Sequence, residues 1–290
     1  MAMPPPSPAL SDKPLESGLY VVSTPIGNLR DITLRALDVL NAADLVLAED
    51  TRVTGKLLHH YGIKAKLDRY DEHVAEAARP KVLAALRDGA RVALVSDAGT
   101  PLVSDPGYRL VKAATEEGLK VYPIPGASAL LAALAGAGLP TDRFLFVGFP
   151  PPKSAGRLAM FEDLKAARAT LVFYEGGSRT AASLKDMAAV FGAERPGAVA
   201  RELTKLHETF LRAPLAALAA DPRLADPKGE IVILVGPGEE EAASADDADR
   251  ALAEALTRVG PADAASEVSR ALGLKRRDLY RRALELKGER

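Results

Sequence analysis

Cysteine is absent from the 290-residue sequence, and histidine occurs only four times. The absence of cysteine excludes disulfides, thiolate nucleophiles and Cys-ligated zinc or iron–sulfur clusters. No two histidines have the helical spacing of a metal-binding pair; they are His59, His60, His73 and His207. We therefore expect no metal site.

The chain also lacks a long hydrophobic run and a recognisable targeting segment. Residues 1–17 are rich in proline and contain no apolar stretch, so they predict a disordered tail and not a signal peptide. The longest apolar stretch, residues 127–139, is too short and too rich in glycine to cross a bilayer. We therefore expect a cytoplasmic protein with no membrane contact.

Positive and negative charges are nearly balanced, with a formal net charge of -1. Charged residues make up 27% of the sequence and hydrophobic residues 48%. This composition is typical of a soluble globular protein, and 290 residues allow two or three packed units. Any affinity for a polyanion must therefore come from a local basic patch.

Short β-rich runs alternate with helical patterns in the first half of the chain, at residues 19–23, 45–48, 92–95 and 121–124. Strands separated by helices predict a mostly parallel sheet with helices on its faces. We place this N-terminal α/β domain at residues 18–143.

A second α/β domain is predicted at residues 144–236. Its strand-like runs at residues 198–204 and 207–211 are separated by almost nothing, which indicates a hairpin and hence a mixed sheet. An acidic linker, residues 237–248, then leads to a helical domain at residues 249–290.

The helical domain has the pattern of a helix-turn-helix with its turn at Gly273. From Arg270 onward it holds eight Lys/Arg against three Asp/Glu, which fits either a contact with RNA phosphates or a solvated helix face. Tyr280 could stack on a base, but Leu279 and Ala283 mark a buried side nearby, so we expect Tyr280 in the helical core. The candidate RNA contacts here are Arg276, Arg277 and Arg281.

Four loops follow strands at the end where open α/β sheets bind ligands: STPIGN (23–28), SDAGTP (96–101), PGAS (125–128) and FYEGGSR (173–179). Neither a GxGxxG nor a GxxxxGK[ST] phosphate motif occurs. Backbone amides, Asp oxygens and aromatic side chains suit a ligand with an aromatic base and a positive sulfonium. S-adenosylmethionine fits that description.

Seven segments, in order, resemble the tetrapyrrole-methylase superfamily: GLYVVSTPIGNLRDITLRAL, DLVLAEDTR, VALVSDAGTPLVSDPGY, PGASA, DRFLFVGFPPPKSAGR, ARELTKLHET and KGEIVILVG. Within it, the chain is similar to bacterial methyltransferases of small-subunit ribosomal RNA. The resemblance covers residues 18–236 strongly and extends to the helical tail. It implies an α/β fold of two domains of the tetrapyrrole-methylase type with the cofactor cleft between them, plus a small C-terminal helical domain.

The resemblance also implies the activity and the residues that hold the cofactor. The expected reaction methylates a cytidine ribose 2′-hydroxyl of 16S rRNA, with S-adenosylmethionine as donor, in a homodimer. The expected cofactor-binding residues are Pro25, Ile26, Gly27, Asp97, Gly99, Thr100, Val103, Ala127, Ser128, Tyr174, Ala200 and Glu230. Residues 176–178, GGS, depart from the family pattern, so we assign no catalytic histidine to that loop.

Methyl transfer to a hydroxyl needs alignment of the reacting atoms and a group that accepts the proton. Two charged stretches, residues 49–52 and 201–205, offer such groups. Asp50 in the first stretch also suits a helix N-cap with a surface ion pair, and the second stretch also suits a half-solvated strand. The candidate catalytic residues are Glu49, Asp50, Arg52, Arg201 and Glu202. Lys153 and Arg157 are candidates for RNA phosphates or ordinary surface charges.

Two other functions fit parts of the sequence. A tetrapyrrole C-methyltransferase would usually have a Gly-rich first loop and no basic helical tail. This chain has STPIGN as its first loop and a basic helical tail, so both features favour RNA as the substrate. A non-catalytic rRNA-binding assembly factor would retain the fold, but the intact cofactor loops argue against it.

The apolar stretch at 127–139 fits a dimer contact or a helix buried within one domain.

Overall fold

The computed structural model describes residues 14–102, 107–238 and 245–288. These residues form two five-stranded sheets, each covered by helices, and a small C-terminal group of helices. Within the described ranges, no helix is both long and apolar enough to span a membrane.

The first sheet is parallel, as predicted. Its strands are β1 (Gly18–Val22), β2 (Leu45–Ala48), β3 (Leu67–Arg69), β4 (Arg91–Val95) and β5 (Val121–Ile124). They lie in the order β3-β2-β4-β1-β5. The sequence did not predict β3, because this edge strand has only three residues and two of them are charged.

Four helices cover the two faces of the first sheet: α1 (Leu34–Ala42), α2 (Thr51–His60), α3 (Ala75–Arg87) and α4 (Tyr108–Glu116). Alternate strand residues face opposite sides, so Val22 packs with Leu37 of α1 while Leu19 packs with Leu110 of α4. Burial on both faces explains why the central strands are almost continuously apolar.

The second sheet is mixed. Its strands are β6 (Phe144–Gly148), β7 (Thr170–Gly176), β8 (Pro196–Arg201), β9 (Thr209–Pro214) and β10 (Glu230–Val235). Their order is β6-β7-β10-β8-β9, with β6 and β7 parallel and the other pairs antiparallel. The predicted hairpin is β8–β9, although its turn is longer than expected because Glu202 and Thr204 adopt positive φ values of 50° and 65°.

Three helices, α6 (Ser154–Leu164), α7 (Gly177–Phe191) and α8 (Leu215–Ala220), cover one face of this sheet, and α5 (Ala129–Ala137) covers the other. The predicted domain boundary at residue 143 assigns α5 to the first domain. Its buried residues instead pack on the second sheet, because Val172 and Val232 offer an apolar face to Ala133 and Leu134.

The C-terminal unit contains α9 (Ala245–Leu256), α10 (Pro261–Leu272) and α11 (Arg276–Lys287) around their own core. Helix α9 begins before the predicted end of the linker at residue 248. Asp246 and Asp247 lie in its first turn, where negative charge stabilises a helix, and this explains the earlier start.

The end of the predicted N-terminal tail is in contact with the first sheet. Glu16 forms an ion pair with Lys120 and accepts a hydrogen bond from the Tyr122 hydroxyl at 2.7 Å. These contacts hold residue 16 at the start of β5, so the prediction of disorder through residue 17 is wrong at its end; residues 1–13 lie outside the described part of the chain.

Candidate active site

A cavity of about 310 Å³, here called the central cavity, lies at the carboxyl ends of β1, β2, β4 and β5. Strands β7 and β10 of the second sheet form its opposite wall. The wall residues are Ile26, Glu49, Asp97, Ala98, Gly99, Thr100, Ser128, Ala129, Phe149, Tyr174, Glu175, Glu230, Ile231 and Val232. Most of the predicted cofactor residues therefore lie around one space.

Hydrogen bonds join the three loops of the first sheet at this cavity. The backbones of Thr24 and Gly99 exchange two bonds, of 2.8 and 3.1 Å. The Ser23 hydroxyl lies 3.1 Å from that of Thr100, which donates to the carbonyl of Ala127 at 3.2 Å. Thr100 thus links the loops after β1 and β5, and Ala127 takes part through its backbone.

Gly99 has a conformation that other residues adopt at a cost. Its φ is +81°, and a Cβ at this position would lie 3.2 Å from Cγ2 of Ile26. Both observations favour glycine where the loop after β4 meets the loop after β1.

Aromatic side chains form the opposite side of the central cavity. The Tyr174 hydroxyl accepts a hydrogen bond from the backbone N–H of Leu130 at 3.1 Å. The Tyr174 ring lies edge-on to Phe146 and Phe149, with centroids 4.8 and 5.7 Å apart. Phe149 is 54% exposed and was not among the predicted site residues. Its position after a strand and before three prolines gave no sign of this role.

Glu49 is the acid of the central cavity with a raised pKa. Burial is the main cause, and the negative charge of Asp97 adds to it. The Asp97 carboxylate is held in place because its Oδ1 accepts the backbone N–H of Asp50 at 2.9 Å. A carboxylate with a raised pKa is better able to accept a proton than one in water.

The structure gives Asp50 and Arg52 a different role from Glu49. Asp50 caps α2 by accepting the Arg52 N–H at 2.8 Å, and its carboxylate pairs with the guanidinium at 2.6 Å. The Arg52 side-chain hydrogen bond lowers the pKa of Asp50 to about 2. Neither residue is on the wall of the central cavity. The N-cap interpretation is therefore confirmed, and this ion pair outside the central cavity does not support the predicted catalytic roles of Asp50 and Arg52.

A second cavity of about 330 Å³, here called the adjacent cavity, shares Ile26, Asp97, Ala98 and Glu230 with the first. The loop after β1 and the start of α2 form much of its wall. Pro25 and Gly27, which we expected at the cofactor, lie here and not in the central cavity. The two cavities meet at the loop after β4, so ligands in both would be neighbours.

Lys205 joins the two sheets beside the adjacent cavity. Its Nζ lies 2.9 Å from the Glu202 carboxylate and 2.8 Å from that of Glu230. Its side chain covers Gly27 so closely that a Cβ there would lie 2.5 Å from Cγ of Lys205. Sequence reasoning noted the charged stretch but did not single out Lys205.

Glu202 and Arg201 are held in the same turn. Glu202 accepts the backbone N–H of Glu230 at 3.0 Å, and this bond, together with Lys205, lowers its pKa. Arg201 donates to the carbonyl of Lys228 at 2.7 Å. Neither side chain is on a wall of the two cavities, so the contacts of Arg201 and Glu202 support a structural role in this turn and not the predicted catalytic one.

Of the two remaining cofactor candidates, only Ala200 can be located, and it lines neither cavity. Ala200 is fully buried in the core between α5 and the second sheet. Val103 lies outside the described residues.

The unusual Gly-Gly-Ser segment has a structural explanation. A Cβ at Gly177 would lie 1.8 Å from the carbonyl oxygen of Pro227, so any side chain would collide with backbone. Before it, Glu175 is buried and accepts bonds from Ser183 at 2.5 Å and Arg179 at 2.6 Å. These contacts fix the start of α7 behind the central cavity.

Comparison with known proteins decides the family. The sequence profile of "Tetrapyrrole (Corrin/Porphyrin) Methylases" matches residues 18–219, and that of "RsmI C-terminal HTH domain" matches residues 242–287. A ribosomal RNA small subunit methyltransferase I from Mesorhizobium japonicum is 54% identical over 95% of this chain and 94% of its own length. The chain belongs to the ribosomal RNA small subunit methyltransferase I family of tetrapyrrole methylases.

Another member of the family is similar over most of the chain, and a more distant solved structure shares the fold. The ribosomal RNA small subunit methyltransferase I of Escherichia coli O157:H7 is 46% identical over 93% of this chain and 96% of its own. The crystal structure of uroporphyrin-III-C-methyltransferase from Thermus thermophilus shares the fold, with a TM-score of 0.55 and 24% identity over 76% of this chain and 94% of that chain.

Lys153 and Arg157, the two predicted RNA contacts near the start of α6, differ in their exposure to solvent. Lys153 is exposed just before α6. Arg157 is only 5% exposed, pairs with Asp186 at 2.8 Å and donates to the carbonyl of Pro152 at 2.9 Å. Because its guanidinium is buried and already bound to partners within the protein, the prediction that Arg157 contacts RNA is wrong.

The helix-turn-helix of this family member presents its basic residues on α11. Arg276, Arg277 and Tyr280 line an open groove of about 430 Å³ together with Ala262. Arg281 is exposed and lies 3.2 Å from Asp278. Tyr280 is 42% exposed, so our expectation that it packs in the helical core is wrong. The core of this unit is filled by smaller aliphatic residues from all three helices.

Proposed function

We propose that this protein transfers a methyl group from S-adenosylmethionine to the ribose 2′-hydroxyl of a cytidine in 16S rRNA of the small ribosomal subunit. The observation that carries the proposal is Glu49, a carboxylate of raised pKa on the wall of a cavity built by loops from both sheets. The shared name of the close relatives supports rRNA as the substrate.

The central cavity suits S-adenosylmethionine in size and chemistry. Its volume of about 310 Å³ is within the usual range for small-ligand sites. Tyr174 and Phe149 offer aromatic faces for adenine, while Asp97 and Glu230 offer negative charge near a sulfonium. We infer that Ile26, Gly99, Thr100 and Ser128 complete the cofactor contacts.

Bound S-adenosylmethionine supplies an electrophilic methyl group. We infer that the acceptor ribose enters through the adjacent cavity, because that cavity borders the central one at Asp97 and Ala98. Glu49 then accepts the 2′-hydroxyl proton as the oxygen attacks. Asp97, anchored by the Asp50 N–H, keeps the pKa of Glu49 raised and its carboxylate fit for that task.

The joined loops provide the alignment that such a displacement needs. The Thr24–Gly99 bonds fix two of the loops, and Lys205 fixes Glu230 on the wall that both cavities share. Holding reactants in line is worth about 7–11 kcal/mol in favourable cases. The rigid loop junction is thus as important to the proposal as the base.

The C-terminal helix-turn-helix is proposed to bind the rRNA substrate through its exposed arginines, with Lys153 as a further phosphate contact. A ribosomal substrate places the reaction in the cytoplasm. The basic face of α11 would add affinity without taking part in the chemistry.

We also propose a homodimer, from the family resemblance. Helix α5, which first suggested it, is covered by the second sheet of its own chain. The exposed Phe144 and Leu145 on edge strand β6 offer a better apolar contact. Light scattering at micromolar concentration should give twice the chain mass, and a monomer mass would count against the dimer.

The function is tested by methyl transfer in vitro. Small subunits from a bacterial strain that lacks this activity are incubated with the protein and labelled S-adenosylmethionine, and digested rRNA is analysed by mass spectrometry. We expect label on the 2′-oxygen of a cytidine. Label on a base, or on a tetrapyrrole added as competitor substrate, would refute the assignment.

A further inference from the structure

The second helix of the helix-turn-helix exposes an aromatic ring beside two arginines. Tyr280 is 42% exposed, although Leu279 next to it is buried. Arg276 and Arg277 precede Tyr280 by four and three residues, so all three side chains share one face of α11. Ala262 of α10 borders the same groove with only a methyl group, which leaves the space of about 430 Å³ open.

The charges in this groove are available to an external anion. The Arg277 side chain is 93% exposed, and its ion-pair partner Asp278 lies 4.0 Å away. On another face of α11, Arg282 is committed to Asp249 at 2.6 Å and Glu285 at 2.8 Å. Arg282 therefore joins α11 to α9, whereas Arg276 and Arg277 face solvent beside Tyr280.

We propose that this groove binds an unpaired RNA nucleotide, with the base stacked on Tyr280 and the flanking phosphates on Arg276 and Arg277. A stacked base has to be unpaired, and side chains cannot enter the deep, narrow major groove of an RNA duplex. The inference rests on the proposed function in taking RNA as the ligand, but it concerns a site remote from the methyl-transfer cavities.

The chain offers a direct reporter of stacking, because it contains no tryptophan. A full-length Tyr280→Trp variant has one such fluorophore, in the groove. It is titrated with a short unpaired pyrimidine ribo-oligonucleotide and, separately, with an RNA duplex of equal phosphate number. We expect quenching by the unpaired RNA and little quenching by the duplex.

Affinity measurements separate stacking from charge. Tyr280→Ala should weaken binding of the unpaired oligonucleotide by roughly 5- to 150-fold, the range for loss of one base–aromatic stack. Tyr280→Phe keeps the ring and should bind like the parent protein. Leu286→Ala, on the same helix and also exposed at 41%, is the matched control and should leave the affinity unchanged.

Three results would overturn the inference: equal affinity of Tyr280→Ala and parent protein, equal quenching by duplex and unpaired RNA, or equal loss in the Phe and Ala variants. Methyl transfer to small subunits is assayed in parallel. Normal methyl transfer without quenching refutes the stacking proposal but not the proposed function. Quenching without any methyl transfer refutes the proposed function but not the stacking proposal.

Discussion

The backbone N–H of Asp50 donates to Oδ1 of Asp97 at 2.9 Å, and this bond joins the ends of neighbouring strands β2 and β4. Its consequence is electrostatic. It fixes one carboxylate beside Glu49, and the repulsion between the two charges adds to burial in raising the pKa of Glu49. A backbone contact thus prepares a side chain for proton transfer.

The loop junction is tested by Gly99→Ala against Gly62→Ala. Both glycines have positive φ, +81° and +68°, but only Gly99 would crowd a neighbour, Ile26. Both variants should lose about 1 kcal/mol of stability in urea titrations from the backbone alone. Only Gly99→Ala should also bind S-adenosylmethionine more weakly by calorimetry. Unchanged cofactor affinity in Gly99→Ala would contradict the role of this junction.

The buried ion pair of Arg157 and Asp186 predicts a stability effect and no RNA effect. Arg157→Met leaves the Asp186 carboxylate, whose side chain is 15% exposed, with only the hydrogen bond from Ser154, and should cost about 3 kcal/mol in the free energy of unfolding. Lys153→Met, at an exposed position nearby, should change it by less than about 0.5 kcal/mol. A stable Arg157→Met variant with weakened rRNA binding would show that the guanidinium faces RNA after all.

The helical tail is tested by deleting residues 240–290. Its core is separate from those of the two sheets, so the truncated protein should fold and bind S-adenosylmethionine with unchanged affinity. Methylation of small subunits should fall, most at low salt, because the lost phosphate contacts are the salt-sensitive ones. The rate of the full-length protein should also show the steeper salt dependence. Equal rates at every salt concentration would mean that the basic face is only solvated.

The loops around the central cavity could be predicted because their signals are local. A buried apolar strand followed by Pro and Gly turn residues, as at Pro25 and Gly99, identifies the carboxyl end of a strand without knowledge of its neighbours. The parallel first sheet and the hairpin followed from the same kind of pattern. The C-terminal helix pair followed from apolar spacing and the turn at Gly273.

Roles that depend on distant contacts could not be predicted. Arg157 is buried because Asp186, on another helix, meets it. Tyr280 is exposed because small residues fill the helical core. Lys205 and Phe149 reach the cavities only once the two sheets are placed together, and no local pattern indicates that arrangement.

The raised pKa of Glu49 predicts the pH dependence of methyl transfer. The base works only when ionised, so single-turnover rates should fall as pH drops through a pKa above the ordinary value of 4.5. For stability the sign is opposite: between 4.5 and the raised pKa the folded protein holds the extra proton, so stability falls as pH rises. Glu49→Gln should remove both effects. An acid limb that persists in Glu49→Gln would assign the titration to another group.

The most direct test of the account compares Glu49→Gln with Asp50→Asn in single-turnover methylation of small subunits with saturating S-adenosylmethionine. The neighbouring acids differ in role, since Glu49 lines the central cavity and Asp50 caps α2. Glu49→Gln should bind the cofactor normally and transfer methyl about 10²–10⁴-fold more slowly, as expected for loss of a general base. Asp50→Asn, which keeps a capping side chain, should transfer at close to the parent rate. Full activity in Glu49→Gln, with the same 2′-O-methylcytidine formed, would contradict the account.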